Sequence, residues 1–304
     1  MSSAARAKSK ADRRREGSNM FHFFNYLFLG IILLIVAYPI YFVLIASISQ
    51  PAVVNTGQVV LAPKNITFEG YKAVFTDGQI MTGYKNSLIY TVVGVIFSAT
   101  TTILAAYALS RKDLPARKVF MMLIVFTMYF GGGMIPTYLV VNNLGLIDSM
   151  WSLILTGMIV PYNLIVARTF FESSIPGELR ESAQLDGCTE WQFFKSVAMP
   201  LSKAIVAMMI LFYGVAQWNT YFNAMIYIRS RDKYPLQLVL RNILIENQVS
   251  QEMMNDAQQA ALQMERAGLI KYVSIIVAAA PLMILYPFVQ KHFVKGVLIG
   301  SVKG

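Results

Sequence analysis

The sequence predicts an all-α protein that crosses a membrane several times, and three observations support this prediction. Hydrophobic residues make up 56% of the 304 residues, and the mean hydropathy is +0.53. Charged residues make up 14%, whereas soluble domains typically carry about 25%. Six segments have the roughly 20 apolar residues that a helix needs to cross a hydrocarbon core about 30 Å thick. We therefore expect a polytopic membrane protein with six transmembrane helices.

The six predicted spans are long apolar runs that contain no aspartate or glutamate. They cover residues 23–48, 87–109, 119–141, 151–171, 204–227 and 270–290. The first run is longer than the roughly 7–15-residue core of a signal peptide, and no small-residue cleavage site follows it. It is therefore predicted to be retained as a membrane helix.

Lysine and arginine are distributed unevenly over the predicted loops, and this predicts the orientation. Seventeen of them lie in the two termini, the 2–3 loop and the 4–5 segment, against nine on the other side. The positive-inside rule therefore predicts that both termini and the 4–5 segment are cytosolic. The same distribution explains the formal net charge of +10 without a nucleic-acid partner.

Residues that the chain lacks exclude several classes of function. Ion- and proton-driven carriers usually place ionisable residues in the membrane interior, and the predicted spans contain no acid. There is no GxxxxGK[ST] phosphate-binding loop, so any energy that the protein uses has to come from a partner. The single Cys188 and the separated His22 and His292 form no metal or redox motif. We expect no catalytic site, metal site or cofactor in this chain itself.

Polar and aromatic side chains cluster late in the fifth span, in the sequence QWNTYFN. Aromatic faces flanked by amides suit a carbohydrate path. The alternative is a belt of aromatic residues at the membrane interface. Proline and glycine breakers in the spans likewise fit either a hinged pathway or ordinary helix packing. The candidates for the substrate path are Trp218, Asn219, Tyr221, Asn223 and, in the third span, Tyr129.

Two long loops lie on the predicted outer side, at 49–86 and 228–269. The second contains VSQEMMNDAQQAALQMERAG, which predicts a soluble helix that begins at Ser250. Both loops offer a docking surface to an external partner.

Helix start and stop signals divide residues 172–203 into two short helices. Ser174 is the predicted cap of a first helix that begins near Pro176. Gly187 is the predicted left-handed stop of that helix, because glycine adopts a positive φ at little cost.

The second helix is predicted to begin at Thr189, with Gln192 completing a capping box. It carries Trp191 and Phe194 and ends near Pro200. The predicted unit is a helix, a sharp turn and a helix, with aromatic side chains that suit the groove of a partner.

Residues 181–201 resemble the EAA motif of ABC importer permeases, EAAxxDGA followed by F and PL. This chain has ESAQLDGC followed by FF and PL, with Ser182 and Cys188 where alanine is usual. Both departures are small residues. The resemblance implies a coupling helix that docks on an ATPase subunit. Its residues are Glu181, Ser182, Ala183, Asp186, Gly187, Cys188, Trp191, Phe194 and Pro200.

The resemblance extends over nearly the whole chain. NSLIYTVVGV at 86–95, AAYALSR at 105–111 and FVKGVLIGSVKG at 293–304 resemble the maltose-permease-like branch of carbohydrate importers. FGGGMIPTYLVV at 130–141 is similar to an oligosaccharide (LplC-type) subset, which includes importers of uronate-containing plant or algal fragments and of host glycans. In this branch the tail reaches the ATPase interface, which implies contacts by Gly296, Gly300 and Lys303; a simple basic tail is the alternative.

The resemblance implies a type I ABC importer permease fold, with a cytosolic N-terminus at 1–22, a permease domain at 23–290 and a cytosolic tail at 291–304. The expected function is that of one transmembrane subunit of an ATP-driven oligosaccharide importer in a bacterial cell membrane. The implied partners are a second, homologous permease, two ATPase subunits that use ATP and Mg, and an extracellular solute-binding lipoprotein. Alternatives are a permease for peptides or polyamines and a membrane anchor or sensor without transport.

Overall fold

The computed structural model describes residues 3–253, 268 and 270–287, and this part of the chain is helical with one isolated β-bridge, between Ser49 and Ile66. It divides into two compact units. The first comprises Met1–Tyr71 and Ala261–Ile276, and the second comprises Lys72–Ala260 and Val277–Gly304.

The first unit is dominated by one long helix, α1 (Ser3–Ser47), followed by the short α2 (Pro51–Asn55). From Met20 to Leu44 nearly every large apolar side chain of α1 is exposed. Of the side chains described from Met20 onward, those near the end of α1 are packed, where Ile45 and Ala46 meet Val54. An apolar helix that is exposed all round is typical of a surface that faces lipid or another membrane helix.

The second unit consists of shorter helices arranged around α4 (Gly78–Ser110), which packs against α8 (Pro161–Ser174), α12 (Lys203–Trp218) and α14 (Leu236–Met253). Asp77 caps α4 by accepting hydrogen bonds from the amides of Gln79 and Ile80. The helix therefore starts nine residues before the predicted second span. The remaining helices are α3 (Glu69–Thr76, shared by the two units), α5 (Arg117–Tyr129), α6 (Met134–Asn143), α7 (Met150–Leu155), α8 (Pro161–Ser174), α9 (Gly177–Leu185), α10 (Glu190–Phe193), α11 (Met199–Leu201), α12 (Lys203–Trp218), α13 (Phe222–Tyr227), α14 (Leu236–Met253) and α15 (Ile270–Pro287, likewise shared).

Some of the predicted spans are confirmed as single apolar helices, and others are broken. Three helices of the described chain are long and apolar enough to cross a membrane: Met20–Ser47 of α1, α4 and α15. Two bent pairs also qualify, α5 with α6 and the Glu190–Leu201 helix with α12, bent by 116° and 79°. These account for up to five spans, and six remains a prediction.

Each break has a local cause. The predicted span 119–141 is interrupted at Gly131–Gly133, where Gly133 has a φ of +85° that no helix contains. The predicted span 151–171 is two helices, because Val160 precedes Pro161 and is held in an extended conformation. The predicted fifth span ends at Trp218, where the Asn219 side chain bonds its own helix at Val215 O.

The soluble helix predicted to begin at Ser250 begins instead at Leu236, as α14. The amide of Leu236 is bound by the Ser87 hydroxyl of α4 at 2.8 Å. The helix can therefore start well before its polar part, because α4 satisfies one of its free amides. The C-terminal part of the predicted helix lies outside the described residues.

The main core of the second unit joins α4, α8 and α12 to the segment after Thr189. It is formed by buried apolar side chains, among them Ile103, Leu164, Phe193, Phe194 and Met209. Gly94 permits the closest approach of α4 and α12, since a Cβ there would lie 2.9 Å from Gln217 Cδ. The 4–5 segment is thus continuous with the helical core.

One buried tyrosine binds a backbone amide at the break before α8. The hydroxyl of Tyr213 accepts from the amide of Val160 at 3.2 Å and lies 2.6 Å from the Thr102 hydroxyl. An amide left without a partner at such a break would be costly in a membrane. Tyr213 therefore makes a broken span tolerable.

Candidate coupling site

The turn between α9 and α10 has the geometry that the sequence predicts. Gly187 has a φ of +76°, its amide bonds Gln184 O at 3.0 Å, and the Cys188 amide bonds Ala183 O at 2.9 Å. These two bonds form a Schellman motif that ends α9. No atom lies within 4 Å of the position where a Cβ would sit on Gly187. Backbone conformation, and not crowding, therefore makes glycine necessary here.

The start of the second arm is also as predicted. The Thr189 hydroxyl accepts from the Gln192 amide, and Gln192 Oε1 accepts from the Thr189 amide at 2.8 Å. This capping box fixes the direction in which the chain leaves the turn. The helix continues through a π-helical turn at Phe194–Ala198 and ends at Leu201, one residue after Pro200.

The start of the first arm differs from the prediction. Ser174 is the last residue of α8, and Pro176 is the residue that precedes α9. Ile175, which precedes Pro176, adopts an extended conformation, as residues before proline usually do. The proline therefore separates two helices, and Ser174 does not cap the second one.

Aromatic side chains divide the second arm into a buried and an exposed face. Phe193 and Phe194 are 2% and 7% exposed, and the Phe194 ring lies 4.8 Å from that of Tyr107 in α4. Trp191 is 64% exposed and stacks on Phe194 at 5.5 Å. Phe193 and Phe194 anchor the arm, whereas Trp191 and the 90%-exposed Leu185 remain available to a partner.

An ionic cluster joins both arms to the end of α4. Its residues, which we name the Glu190 cluster, are Arg111, Asp113, Arg180, Gln184 and Glu190. Arg180 Nη2 donates to Glu190 Oε1 at 2.7 Å and to Asp113 Oδ2 at 3.0 Å. Arg111 binds the same two carboxylates, with Nη2 at 2.9 Å from Glu190 Oε1 and Nε at 3.0 Å from Asp113 Oδ1.

The arginines of this cluster are more buried than the acids. The Arg111 and Arg180 side chains are 15% and 25% exposed, against 50% and 56% for Glu190 and Asp113. Burial lowers the pKa of Arg111, but its hydrogen bonds to Glu190 and Asp113 outweigh this and raise the pKa above its ordinary value. Arg111 is therefore charged throughout the physiological range.

The predicted motif residues occupy three places in this arrangement, and the first is the second arm, which holds Trp191, Phe194 and Pro200. Ser182, Ala183, Asp186, Gly187 and Cys188 form the end of the first arm and the turn. Ser182 bonds Glu178 O within its own helix. Glu181 lines a cleft of about 610 Å³ together with Arg111, Asp113 and Arg180.

A second ionic cluster, the Asp148 cluster, joins the loop after α6 to residues 229–233. Asp148 accepts from the amides of Arg229 and Ser230 at 3.0 and 2.9 Å, from the Ser230 hydroxyl at 2.6 Å and from Lys233 Nζ at 2.8 Å. The side chain of Lys233 and then that of Ser230 lower the pKa of Asp148 well below its usual range. Asp148 raises the pKa of Lys233 in turn.

The same loop is bound to α4 by its backbone. Asn86 donates to Asp232 O and Tyr234 O, and the Tyr90 hydroxyl donates to Lys233 O at 3.0 Å. Residues 228–236 are therefore held from two sides.

The predicted substrate-path residues lie in different environments. Trp218 is 2% exposed, and its indole N–H donates to Ala278 O at 2.8 Å. Asn219 is exposed, Tyr221 is 45% exposed, and Asn223 is partly buried. Tyr129 is 77% exposed at the end of α5, before the bend. Their role in a substrate path stays a prediction.

The predicted tail residues Gly296, Gly300 and Lys303 lie outside the described residues. Within the part that the structure describes, no group of three or more His, Cys, Asp and Glu side chains is arranged to hold a metal ion.

Arg111, Asp113, Arg180 and Glu190 were not predicted as site residues from the sequence. Glu190 follows a helix cap, so its acid is explained locally by the helix dipole. Its partner Arg111 is 79 residues away. One sequence signal could have indicated the pairing. Arg111 and Asp113 directly follow a predicted span that ends on the predicted cytosolic side, where Glu190 also lies.

Comparison with known proteins is consistent with this geometry. Residues 80–299 match the family model described as "Binding-protein-dependent transport system inner membrane component". The chain is 40% identical over 289 residues to Protein LplC of Bacillus subtilis (strain 168), covering 95% of this chain and 97% of that protein. It is also 40% identical to the polygalacturonan/rhamnogalacturonan transport system permease protein YtcP of the same organism, covering 94% and 99%.

Solved structures show the same likeness. A chain from a bacterial ABC transporter involved in the import of the acidic polysaccharide alginate matches with a TM-score of 0.80 at 34% identity, covering 91% of this chain and 98% of that chain. A chain from a bacterial alginate ABC transporter in complex with alginate pentasaccharide-bound periplasmic protein matches at a TM-score of 0.53 and 15% identity, which is a likeness of fold alone.

Proposed function

Since the chain belongs to the family of binding-protein-dependent transport system inner membrane components, we propose that it is a transmembrane subunit of an ATP-driven importer whose solute is an oligosaccharide. As a member of this family, the chain is a multi-pass bacterial membrane protein that works with a binding protein and other transporter subunits. The fold and the family model support a permease, and the names of the relatives support the choice of solute.

The coupling step is assigned to residues 176–198. The observation that carries this assignment is that the segment is joined to α4 twice, through Phe194 against Tyr107 and through Glu190 against Arg111. Because α4 packs on α8 and α12, a displacement of the second arm is passed through Phe194 and Tyr107 to the centre of the helical unit. The exposed Trp191 and Leu185 form the surface that an ATPase subunit contacts.

The proposed assembly contains this chain, a homologous second permease, two ATPase subunits and an external solute-binding lipoprotein. Both termini are cytosolic. ATP and Mg are used by the ATPase subunits, because this chain contains no GxxxxGK[ST] loop. The distribution of lysine and arginine supports the orientation. The chain acts as a transporter subunit without catalysis of its own.

The proposed solute class is an oligosaccharide, and uronate-containing fragments are the first to test. Support comes from YtcP, which is named for polygalacturonan and rhamnogalacturonan transport, and from the alginate importer. The exposed polar side chains of Asn219 and Tyr221, with Asn223 and Tyr129, are the proposed contacts. The buried Trp218 supports them from α12.

The experiment that tests the coupling step replaces Gly187 by valine in the full complex reconstituted into vesicles. A β-branched residue cannot readily adopt a φ of +76°, so the turn is distorted while the spans are not. We expect uptake of the solute to fall at least roughly tenfold, within the range typical of coupling energies, with normal insertion and assembly.

Two control variants separate the turn from its surroundings. Gly187→Asn should retain much more uptake, because asparagine tolerates a positive φ. Gly177→Ala, in open space and without a positive φ, should resemble the unmodified chain. Undiminished uptake by Gly187→Val would refute the coupling role. A screen of oligosaccharides against the cognate binding protein tests the solute separately.

A further inference from the structure

We propose that the cleft at the start of α5 binds the headgroup of an anionic phospholipid. The cleft has a volume of about 740 Å³ and lies between the loop after α4, the first turns of α5 and Arg168 of α8. It is distinct from the coupling surface formed by Trp191 and Leu185. The inference needs α5 to enter the membrane from this end and does not depend on the identity of the solute.

Positive charge at the cleft exceeds the negative charge around it. Four cations line it: Lys112, Arg117, Lys118 and Arg168. One carboxylate, that of Glu172, is shared by Arg117 and Arg168, with Arg168 Nη2 at 2.6 Å.

The two lysines are the unsatisfied part of this charge. Both are exposed, and within the described residues neither makes an ion pair. The carboxylate of Asp113, in the same loop, is bound by Arg111 and Arg180. An anionic ligand therefore finds two available ammonium groups beside two arginines that already share one acid.

The wall of the cleft is apolar, which a soluble anion does not need. Leu114, Met121, Met122 and Val125 line it next to the cations. At a rise of about 1.5 Å per residue, Val125 lies roughly 12 Å along α5 from Arg117. Met122 is 64% exposed and Val125 38% exposed, so an acyl chain has a surface to lie on.

This pairing of charge and apolar wall favours a phospholipid over the other anions at a membrane surface. Clusters of lysine and arginine directly beside a transmembrane helix attract anionic lipids. Free phosphate matches the cations but leaves the methionines exposed. An acidic protein surface would have to reach past the membrane boundary to cover Val125.

The test uses the full complex, purified in detergent and then supplied with phosphatidylglycerol or phosphatidylcholine, with bound lipid measured by native mass spectrometry. We expect phosphatidylglycerol to be retained selectively. In the Lys112→Gln/Lys118→Gln variant its affinity should fall roughly tenfold or more. The matched control, Lys64→Gln/Lys72→Gln, removes two lysines from the predicted outer segment 49–86 and should leave retention unchanged.

A second variant distinguishes a lipid from a free phosphate. Met122→Gln keeps every charge and should lower phosphatidylglycerol binding while leaving competition by inorganic phosphate unchanged. Equal retention by the lysine variant and the unmodified chain would overturn the proposal. So would tight binding of inorganic phosphate with the same loss in the lysine variant. Loss of a partner subunit with unchanged lipid binding would assign the face to that subunit and also refute the lipid site.

Discussion

The Glu190 cluster and the Asp148 cluster both contain ion pairs, but the other groups that bind their carboxylates differ. In the Glu190 cluster every contact joins one side chain to another, and the acids are half exposed. In the Asp148 cluster two backbone amides and a hydroxyl accompany the lysine, and the Asp148 amide itself bonds Tyr227 O.

This difference separates an adjustable joint from a fixed one. Side chains of arginine and glutamate can exchange partners by changing rotamers, while the helices to which they belong keep their hydrogen bonds. The Asp148 carboxylate can leave its two backbone amides only by giving up the Ser230 hydroxyl and Lys233 as well. We infer that the Glu190 cluster can follow a moving partner, and that the Asp148 cluster keeps residues 228–236 in place.

The largest effect is expected when the adjustable joint is removed. Glu190→Ala leaves Arg111 and Arg180 sharing only Asp113, so the second arm loses its ionic connection to the end of α4. Uptake in vesicles should fall roughly tenfold, a typical size for a coupling energy, while the thermal midpoint of the complex changes little. The control is Glu178→Ala, an exposed acid of α9 for which the described structure records no ion pair. Equal uptake by the two variants would contradict the role of Glu190.

An intermediate effect, on stability and not on uptake, is expected at the Asp148 cluster. Asp148 has a φ of +60°, which asparagine tolerates, so Asp148→Asn removes the charge and keeps the backbone. The loss of charge-assisted hydrogen bonds should lower the free energy of unfolding by about 1–2 kcal/mol. The thermal midpoint should fall, and uptake below that midpoint should change much less than in Glu190→Ala. A variant with normal stability and abolished uptake would reverse the comparison.

The smallest effect is expected from pH. The lowered pKa of the Asp148 carboxyl means that its stabilisation is present above about pH 3.9 and is lost only as pH falls through the still lower folded value. The raised pKa of Lys233 means that its contribution is lost only as pH rises above its ordinary value. The difference in thermal midpoint between the unmodified chain and Asp148→Asn should therefore stay constant between pH 5 and pH 9. A difference that halves within that range would contradict this assignment.

The sequence predicted those features that depend on neighbouring residues. The positive φ of Gly187 and the capping box of Thr189 and Gln192 follow from steric and hydrogen-bonding rules that act over a few positions. The prediction that Ser174 caps the first arm was wrong. The helix α8 continues through Ser174, and Pro176 is the residue that precedes the next helix.

Features that depend on distant residues were not predictable in the same way. Arg111 and Glu190 are 79 positions apart, and their pairing requires the packing of α4 against the core around Phe193. Apolar composition located the spans but not the bends, since the 116° bend between α5 and α6 arises at three glycines that composition counts as neutral. The number of spans remains a prediction for that reason.

The Asp148 cluster also sets an order of events during synthesis. Asp148 and Lys233 are 85 residues apart, and Asn86 and its partner Tyr234 are 148 residues apart. At about 5–20 residues per second, the carboxylate remains without its lysine for roughly 4–17 s after it leaves the ribosome. Residues 228–236 therefore close the structure late, after α5 to α12 have already been synthesised, and the nascent chain has to hold those helices together without them.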